Sequence, residues 1–205
     1  RSELHDPKNK RLYSRKHRGR MITNEDNMIL MARYEDNHFD LAIVDPPYGI
    51  GFDGNTTVKG KAGKANTFSN KQHHKKKGWD NKIPSLEYFA ELQRISKNQI
   101  IWGGNYFAHL LPAKKGWVYW DKKITNANNT NYSDGELAYT SFNCVLKKFT
   151  YDWIGFGYLN NPQRQKKIHP TEKPISLYEW LLMNYAKEGD KILDTHLGSG
   201  SIAIA

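Results

Sequence analysis

The sequence contains very little cysteine. Cys144 is the single thiol among 205 residues, so the chain cannot form an internal disulfide, and a cysteine-rich zinc cage is excluded. A lone thiol is typical of proteins in a reducing compartment. We therefore expect an intracellular protein.

The sequence also lacks long apolar segments. No hydrophobic run approaches the ~20 residues that a membrane-spanning helix needs. The basic N-terminal segment has no apolar middle region of the kind found in signal peptides. These absences predict a soluble cytoplasmic protein with no membrane partner.

Enough apolar material is present for one compact core. Hydrophobic residues make up 38% and aromatic residues 13% of the chain, which argues against a wholly disordered protein even at a mean hydropathy of -0.79. A length of 205 residues allows one globular domain.

The charge is strongly basic and unevenly distributed. Lys and Arg number 31 against 21 Asp and Glu, for a net charge of +10. The surplus lies in residues 1–20 and 53–82, each with eight basic and two acidic residues. The first segment is a basic N-terminal extension, either a solvated tail or a segment that contacts an acidic partner. The second is rich in Gly, Asn and Lys, as in long functional loops, and we predict that this basic loop contacts phosphate.

Apolar patterns predict alternating strands and helices. Strands are predicted over residues 21–23, 39–44, 99–102, 117–120, 136–142 and 191–193. Helices are predicted over residues 27–34, 84–97, 105–111 and 175–187. Such alternation favours an α/β fold with a mostly parallel sheet that helices cover on both faces.

The first candidate motif follows the apolar run FDLAIV, which reads as a buried parallel strand. Asp45-Pro46-Pro47-Tyr48 comes at its carboxyl end, where open α/β sheets bind their ligands. Two prolines remove two backbone donors, so the Asp45 carboxylate and the Pro46 carbonyl form a cluster of acceptors. This cluster could bind one NH₂ group, while Tyr48 offers a flat face to a base. Alone, the motif is more typical of a common turn.

Two further motifs occur later in the chain. DTHLGSG, residues 194–200, joins a predicted strand to a helix, so its glycines and free N–H groups could approach a ligand. It departs from G-x-G-x-x-G, which makes a nicotinamide cofactor a weaker hypothesis. HPTEKP, residues 169–174, precedes the clearest helix, and Lys173 could reach a carboxylate as a mobile point charge. Either motif could also be a simple turn.

Together, the three motifs resemble the amino-group DNA methyltransferases, which use S-adenosyl-L-methionine and carry Asp-Pro-Pro-Tyr as their catalytic motif. The resemblance spans about residues 22–205 and is strongest in FDLAIVDPPYGIG, HPTEKP and ILDTHLGSGSIAIA. Placing the catalytic motif before the cofactor glycines is similar to the circularly permuted β group. The segments IIWGGNYF, GWVYWDK and DGELAYTSF also resemble phage and prophage members.

The resemblance implies a Rossmann-like methyltransferase fold with circularly permuted motif order. The methyltransferase domain would cover residues 21–205, truncated at its C-terminus because the next strand of such folds is absent. Target-sequence recognition is expected in the irregular region 121–167. The implied partner is double-stranded DNA, for a monomer or a homodimer in the cytoplasm of a bacterial or phage-infected cell.

The resemblance also implies roles for individual residues. Catalysis is expected from the motif that binds the target amine and stacks on the flipped base: Asp45, Pro46, Pro47 and Tyr48. Contacts with S-adenosyl-L-methionine are expected from Asp26, Asp45, Thr171, Lys173, Asp194, His196, Gly198, Ser199 and Gly200. Glu25 competes with Asp26 for the adenine ring of the cofactor. Thr195-His196-Leu197 replaces the family's usual Pro-Phe-hydrophobic stretch. No metal site is expected.

Three functional hypotheses follow. The first is methyl transfer to N6 of a flipped adenine, because family members with Asp before Pro-Pro usually act on adenine. The second is transfer to N4 of cytosine, for which Ser-Pro-Pro is more common. The third is a truncated DNA-binding fragment without activity.

Overall fold

A computed structural model describes residues 15–17, 19–52, 78–123, 133–151, 153 and 171–205. Its strands are β1 Arg15–His17, β2 Arg20–Ile22, β3 Phe39–Val44, β4 Ser96–Trp102, β5 Trp117–Asp121, β6 Gly135–Thr140, β7 Lys147–Thr150 and β8 Ile192–Leu193. Its helices are α1 Asn27–Met31, α2 Leu86–Ile95, α3 Ile175–Tyr185 and α4 Ser201–Ile204.

Six of the described strands form one mixed sheet in the order β7-β5-β6-β4-β3-β8. Strand β3 lies between β4 and β8 and runs parallel to both. Strand β6 runs antiparallel to β4 and β5, and β5 runs parallel to β7. The carboxyl ends of β3, β4 and β8 therefore meet at one edge of the sheet, and the amino end of β6 arrives at the same edge.

The core lies on both faces of this sheet, because side chains along a strand alternate between its faces. Ala42 and Val44 pack on one face with α1 and α2. Leu41 and Ile43 pack on the other face with α3. Every residue of β3 from Leu41 onwards is buried, which explains why its sequence is continuously apolar. The Rossmann-like α/β architecture predicted from the sequence is thus the fold of the chain.

Most predicted elements occur within a few residues of their expected bounds, and β3 matches its prediction at both ends. The helix predicted over residues 105–111 is wrong: separate turns occupy this segment, with Tyr106 N–H donating to Gly103 and Leu110 N–H to Phe107. The helix expected over residues 27–34 ends at Met31. Strand β7 was not predicted, since three of its four residues are exposed and the apolar pattern is absent.

Three segments predicted from the sequence, the basic extension, the basic loop and the recognition region, lie partly outside the described residues. In the basic extension, β1 pairs antiparallel with β2, so part of residues 1–20 is a hairpin strand. In the basic loop 53–82, only residues 78–82 are described. The expected recognition region 121–167 contains β6 and β7, and its boundaries stay a prediction. No helix in the described part of the chain is long and apolar enough to cross a membrane.

Candidate active site

Asp45 lies directly beyond the carboxyl end of β3, and both of its carboxylate oxygens are engaged. The hydroxyl of Tyr48 donates to Oδ1 at 2.7 Å. The ammonium of Lys173 donates to Oδ2 and forms an ion pair with it. Lys173 immediately precedes Pro174 and α3, so the HPTEKP motif delivers its lysine to the Asp-Pro-Pro-Tyr motif. The ammonium of Lys173 thus pairs with the Asp45 carboxylate, and its expected contact with S-adenosyl-L-methionine stays a prediction.

Asp80 fixes the backbone that follows the catalytic motif. Its Oδ1 accepts from the N–H groups of Tyr48 and Gly49 at 2.8 and 2.9 Å, and its Oδ2 accepts from Phe52 at 2.7 Å. The side chain is 3% exposed. Asp80 thus ties together the two described ends of the basic loop, a role that no sequence pattern indicated.

The Tyr48 ring occupies a confined position. It stacks on Tyr106 at a centroid distance of 4.9 Å and an interplanar angle of 17°. Behind it, a Cβ placed on Gly103 would lie 2.2 Å from the ring, so only glycine leaves room there. Burial, followed by the charges of Asp45 and Glu136, raises the pKa of Tyr48 well above its ordinary value, and the hydroxyl stays a neutral donor.

Glu136, the second residue of β6, completes a cluster of two carboxylates and two ammonium groups. Its Oε2 lies 3.1 Å from Lys173 Nζ, and its Oε1 lies 2.6 Å from Lys122 Nζ. Burial opposes ionisation of Glu136, but the charges of Lys173 and Lys122 outweigh it and lower its pKa to about 2. Burial also works against the charge of Lys173, yet Asp45 and Glu136 raise its pKa.

At Asp45, in contrast, the effects that raise the pKa outweigh those that lower it. Burial raises its pKa, and the attraction of Lys173 does not fully offset this effect. Glu136 adds a repulsion that also favours the protonated form. Asp45 is therefore the member of the cluster whose ionisation is most sensitive to its surroundings.

The glycine turn follows β8, the strand next to β3. Gly198 and Gly200 have φ values of +54° and +80°, and a Cβ on Gly200 would meet nothing within 4 Å, so the turn has open space beside it. Asp194 accepts from the backbone N–H of His196 at 2.8 Å. Burial raises the pKa of Asp194 to about 7. No basic residue in the described ranges forms an ion pair with it.

His196 takes part in a polar network on the α2 side of this turn. Its Nδ1 lies 2.9 Å from Thr195 Oγ1, and its Nε2 lies 3.2 Å from the Asn27 amide nitrogen. Tyr88 OH lies 2.7 Å from Thr195 Oγ1. Burial lowers the pKa of His196 to about 4, so the ring is neutral at pH 7. A Thr-His pair therefore builds hydrogen bonds at positions where a Pro-Phe pair could not.

A cavity of about 220 Å³ connects the two motifs. Pro47 of the catalytic motif and His196 of the glycine turn both line it, with Asn27 and Tyr88 between them. This arrangement follows from the register of β3 and β8. Ala42 pairs with Leu193, so the segments that follow the two strands leave the sheet side by side. The two motifs share one crevice, as ligand sites of open α/β sheets do.

The structure places the remaining predicted residues less centrally. Asp26 caps α1, with Oδ1 accepting from Met28 and Ile29 N–H groups, and is exposed. Glu25 pairs with Arg33, and its Oε1 is buried without a hydrogen-bond partner among the described residues. Thr171 lies two residues before Lys173 and is half-buried. Contact of these residues with a cofactor stays a prediction.

Known proteins resemble the chain in sequence. Residues 110–205 match the family model described as DNA methylase. The Type II methyltransferase M.HpaI of Haemophilus parainfluenzae is 26% identical over 204 residues, covering 84% of this chain and 62% of that protein. M2.MboI of Moraxella bovis, another Type II methyltransferase, is 24% identical over 85% of the chain and 74% of its own length. The family-model match and these relatives support an amino-group DNA methyltransferase family for the chain.

The chain spans less than two thirds of the length of M.HpaI. Among solved structures, the crystal structure of an M1.HpyAVI–SAM complex resembles it with a TM-score of 0.48 and 18% identity, over 88% of this chain and 84% of that one. The sequence did not single out one of the residues that the fold brings to this edge of the sheet, Glu136. Glu136 was missed because only the antiparallel pairing of β6 with β4 carries it to this edge.

Proposed function

We propose that this chain transfers a methyl group from S-adenosyl-L-methionine to N6 of an adenine flipped out of double-stranded DNA. The observation that carries the proposal is one cavity that Pro47 of the catalytic motif and His196 of the glycine turn both line. Pro47 and His196 line one cavity at the carboxyl ends of two neighbouring parallel strands. This cavity supports placing the target amine and the cofactor beside each other.

The residues of the glycine turn fit the proposed cofactor. Gly200 leaves open space, so a ligand could approach the backbone closely. The Asp194 carboxylate is desolvated and has no cationic partner among the described side chains, which suits the ammonium group of a methionine moiety. S-adenosyl-L-methionine, when bound, supplies an electrophilic methyl group on sulfur.

Asp45 and Pro46 would bind and orient the target amine. The carboxylate and the Pro46 carbonyl each accept one hydrogen bond from NH₂, so the nitrogen lone pair is free to face the methyl group. Alignment of this kind is a proximity effect and needs neither a metal nor a covalent intermediate. No cluster of residues suited to a metal ion occurs within the described ranges.

Tyr48 would provide the stacking surface for the extruded base. Flipping costs a few kcal/mol, which stacking and the hydrogen bonds at the amine must offset. In the structure, Tyr48 donates to Asp45 Oδ1 and stacks on Tyr106. The incoming amine would take over the acceptor site on Oδ1. The base would either displace the Tyr106 ring, which is 38% exposed, from its stack on Tyr48 or add to that stack.

The DNA itself would be held by the basic surplus of the chain. Asp80 holds the described ends of the basic loop beside the catalytic motif, and in this proposal the loop would contact the DNA backbone. Double-stranded DNA as substrate, action as a monomer or homodimer, and a cytoplasmic location in a bacterial or phage-infected cell all belong to this proposal, as does membership of the permuted β group.

A nucleoside analysis tests the proposal. The chain is incubated with methyl-labelled S-adenosyl-L-methionine and unmethylated duplex DNA, and the DNA is then digested and analysed by mass spectrometry. We expect labelled N6-methyl-2′-deoxyadenosine. Labelled N4-methyl-2′-deoxycytidine instead would favour the cytosine reaction, and no label together with no calorimetric binding of the cofactor would favour an inactive fragment.

A further inference from the structure

Glu136 is a charged residue at the site to which the proposed chemistry assigns no role. Strand β6 runs antiparallel to β4, with Ala138 opposite Trp102, so its amino end lies beside the carboxyl ends of the parallel strands. Glu136 Oε2 lies 3.1 Å from Lys173 Nζ and 3.3 Å from Tyr48 OH. It therefore contacts both side chains that engage Asp45.

We propose that Glu136 is a positioning residue for methyl transfer, one that holds Lys173 and Tyr48 beside Asp45 without touching the substrate. The inference rests on the proposed function. It deepens that function by naming the group that sets the geometry and charge around the amine acceptor.

The first argument concerns the ammonium of Lys173. A lysine has a flexible four-carbon stem, yet this side chain is only 3% exposed and its three donors need buried acceptors. Asp45, Glu136 and Tyr48 supply them, with Tyr48 OH at 3.2 Å. Without Glu136, the ammonium would be drawn to Asp45 alone. It would then occupy the carboxylate that the target amine needs.

The second argument concerns charge. Asp45 and Glu136 carry two negative charges against the two positive charges of Lys173 and Lys122. Removing one member of a buried ion pair leaves an uncompensated charge and is strongly unfavourable. With Glu136 present, Lys173 divides its attraction between two carboxylates, so Asp45 keeps the electron density of a good acceptor.

Lys122 in turn fixes Glu136. Lys122 follows β5, its backbone N–H donates to Asp134 at 3.0 Å, and its ammonium lies 5.1 Å from the centroid of the Trp120 ring. Its Nζ binds the Glu136 oxygen that faces away from Lys173. Glu136 is therefore held from both sides, as a positioning residue needs to be.

The charge on Asp45 depends on groups from several elements. Tyr48 lies on its own turn, Lys173 precedes α3, Glu136 lies on β6, Tyr178 on α3 and Asp194 after β8. Glu136→Gln removes a repulsive charge and frees Lys173 to pair with Asp45, so the acid limb of the rate profile should move to lower pH. Lys173→Met removes the attraction, and the limb should move to higher pH.

The test compares Glu136→Gln with the wild-type chain in the methylation assay. We expect kcat to fall on the order of 10²-fold, the scale of a misplaced reacting group, with cofactor affinity unchanged and the acid limb shifted as described. Glu136→Asp should recover part of the rate. The matched control is Glu179→Gln, which removes an exposed charge from α3 and should leave both quantities unchanged.

The outcomes separate this inference from the proposed function. A wild-type chain without activity overturns both. An active wild type with an unaltered rate and pH profile in Glu136→Gln overturns the positioning role alone. If circular dichroism shows that Glu136→Gln is unfolded, Lys122→Gln decides, because it releases Glu136 without touching Lys173: a reduced kcat supports the role, and a wild-type kcat and pH profile overturn it.

Discussion

At the scale of single residues, the site depends on which carboxylates are ionised. Asp45 and Glu136 both contact Lys173 and Tyr48, and Glu136 also pairs with Lys122. The charges of Lys173 and Lys122 lower the pKa of Glu136 to about 2, while burial raises that of Asp45. Burial raises the pKa of Asp194 to about 7, and no basic residue in the described ranges forms an ion pair with its carboxylate. The carboxylate at the glycine turn is thus destabilised in its charged form until a cation binds it.

Asp194→Asn should therefore stabilise the chain and weaken cofactor binding. Between about pH 4 and 7 the folded chain holds a proton at Asp194 that the unfolded chain has lost, because the folded pKa of about 7 exceeds the ordinary 3.8. The free energy of unfolding contributed by Asp194 accordingly falls as pH rises through this window. The free energy of unfolding of Asp194→Asn does not fall in this way, because an asparagine does not titrate. We therefore expect its melting temperature at pH 8 to exceed the wild-type value by at least ~2–4 °C, the equivalent of about 1 kcal/mol.

Thermal melts at pH 5 and pH 8 measure this effect. His196, whose pKa burial lowers to about 4, acts in the opposite direction between about pH 4 and 6.5. His196 is present in the wild type and in Asp194→Asn, so the difference between their melting temperatures reports on Asp194. Calorimetry should show S-adenosyl-L-methionine binding weakened at least ~10-fold, as expected for a lost charge-assisted hydrogen bond. Equal melting temperatures at pH 8 would be inconsistent with an unpaired Asp194.

At the scale of elements, the position of Tyr48 depends on the turn after β4. Gly103 ends that strand with φ +71°, and its missing side chain makes room for the Tyr48 ring. Tyr106, three residues later, stacks on the same ring. The β4 turn thus shapes the catalytic motif although no sequence signal connects residues 48 and 103.

Gly103→Ala should displace Tyr48 and lower methyl transfer at least ~10-fold. The control is Gly189→Ala: φ is +88° there, but a Cβ would meet nothing within 4 Å. Both variants incur the cost of a left-handed alanine, about 1–2 kcal/mol, and only Gly103→Ala adds a clash with the ring, typically about 1–3 kcal/mol more. Urea titrations and the methylation assay measure both effects, and identical losses in the two variants would refute the steric account.

The sequence predicted the elements whose pattern is local. Strand β3 was placed at its true bounds because a fully buried apolar run ends at two prolines. Strand β7 was missed because its Lys147 and Lys148 are exposed at the sheet edge, where no apolar alternation is required. The turns after Gly103 were mistaken for a helix, since Phe107 and Leu111 are buried at a spacing that a helix also produces.

The candidate site was predictable only where motifs carry it. Asp45, Lys173 and Asp194 lie in recognisable motifs, and the structure brings them to one edge of the sheet. Asp80, Gly103 and Glu136 reach that edge through loop closure and antiparallel pairing, which depend on the whole topology. The tertiary arrangement, rather than local propensity, selects these residues.

At the scale of the whole molecule, the sheet order unites the two motifs and the charge distribution suggests the substrate. Strands β3 and β8 are far apart in sequence but adjacent in the sheet, so residues 45 and 194 become neighbours. The chain carries a net charge of +10, and its basic surplus lies in residues 1–20 and 53–82 of the sequence. This distribution suits a polyanion that covers the mouth of the crevice.

Affinity for duplex DNA should therefore fall steeply with salt. Replacing Lys75, Lys76 and Lys77 of the basic loop with Gln should reduce the slope of log affinity against log salt by about 0.9 for each phosphate that the loop no longer neutralises. The control replaces Lys187 and Lys191, which lie before β8 at the opposite edge of the sheet, and should leave the slope unchanged. Fluorescence anisotropy between low and moderate salt measures the slope, and a flat dependence in the wild type would exclude phosphate binding by the loop.

The most direct test of the central claim separates cofactor binding from methyl transfer at Asp45. Asp45→Asn keeps the shape of the side chain but removes the charge that the structure pairs with Lys173, and it presents an amide donor where the target amine needs an acceptor. Calorimetry and the labelled-methyl assay are performed on the same preparation. The account predicts near-wild-type binding of S-adenosyl-L-methionine with no detectable methylated base, and wild-type turnover in Asp45→Asn would contradict it.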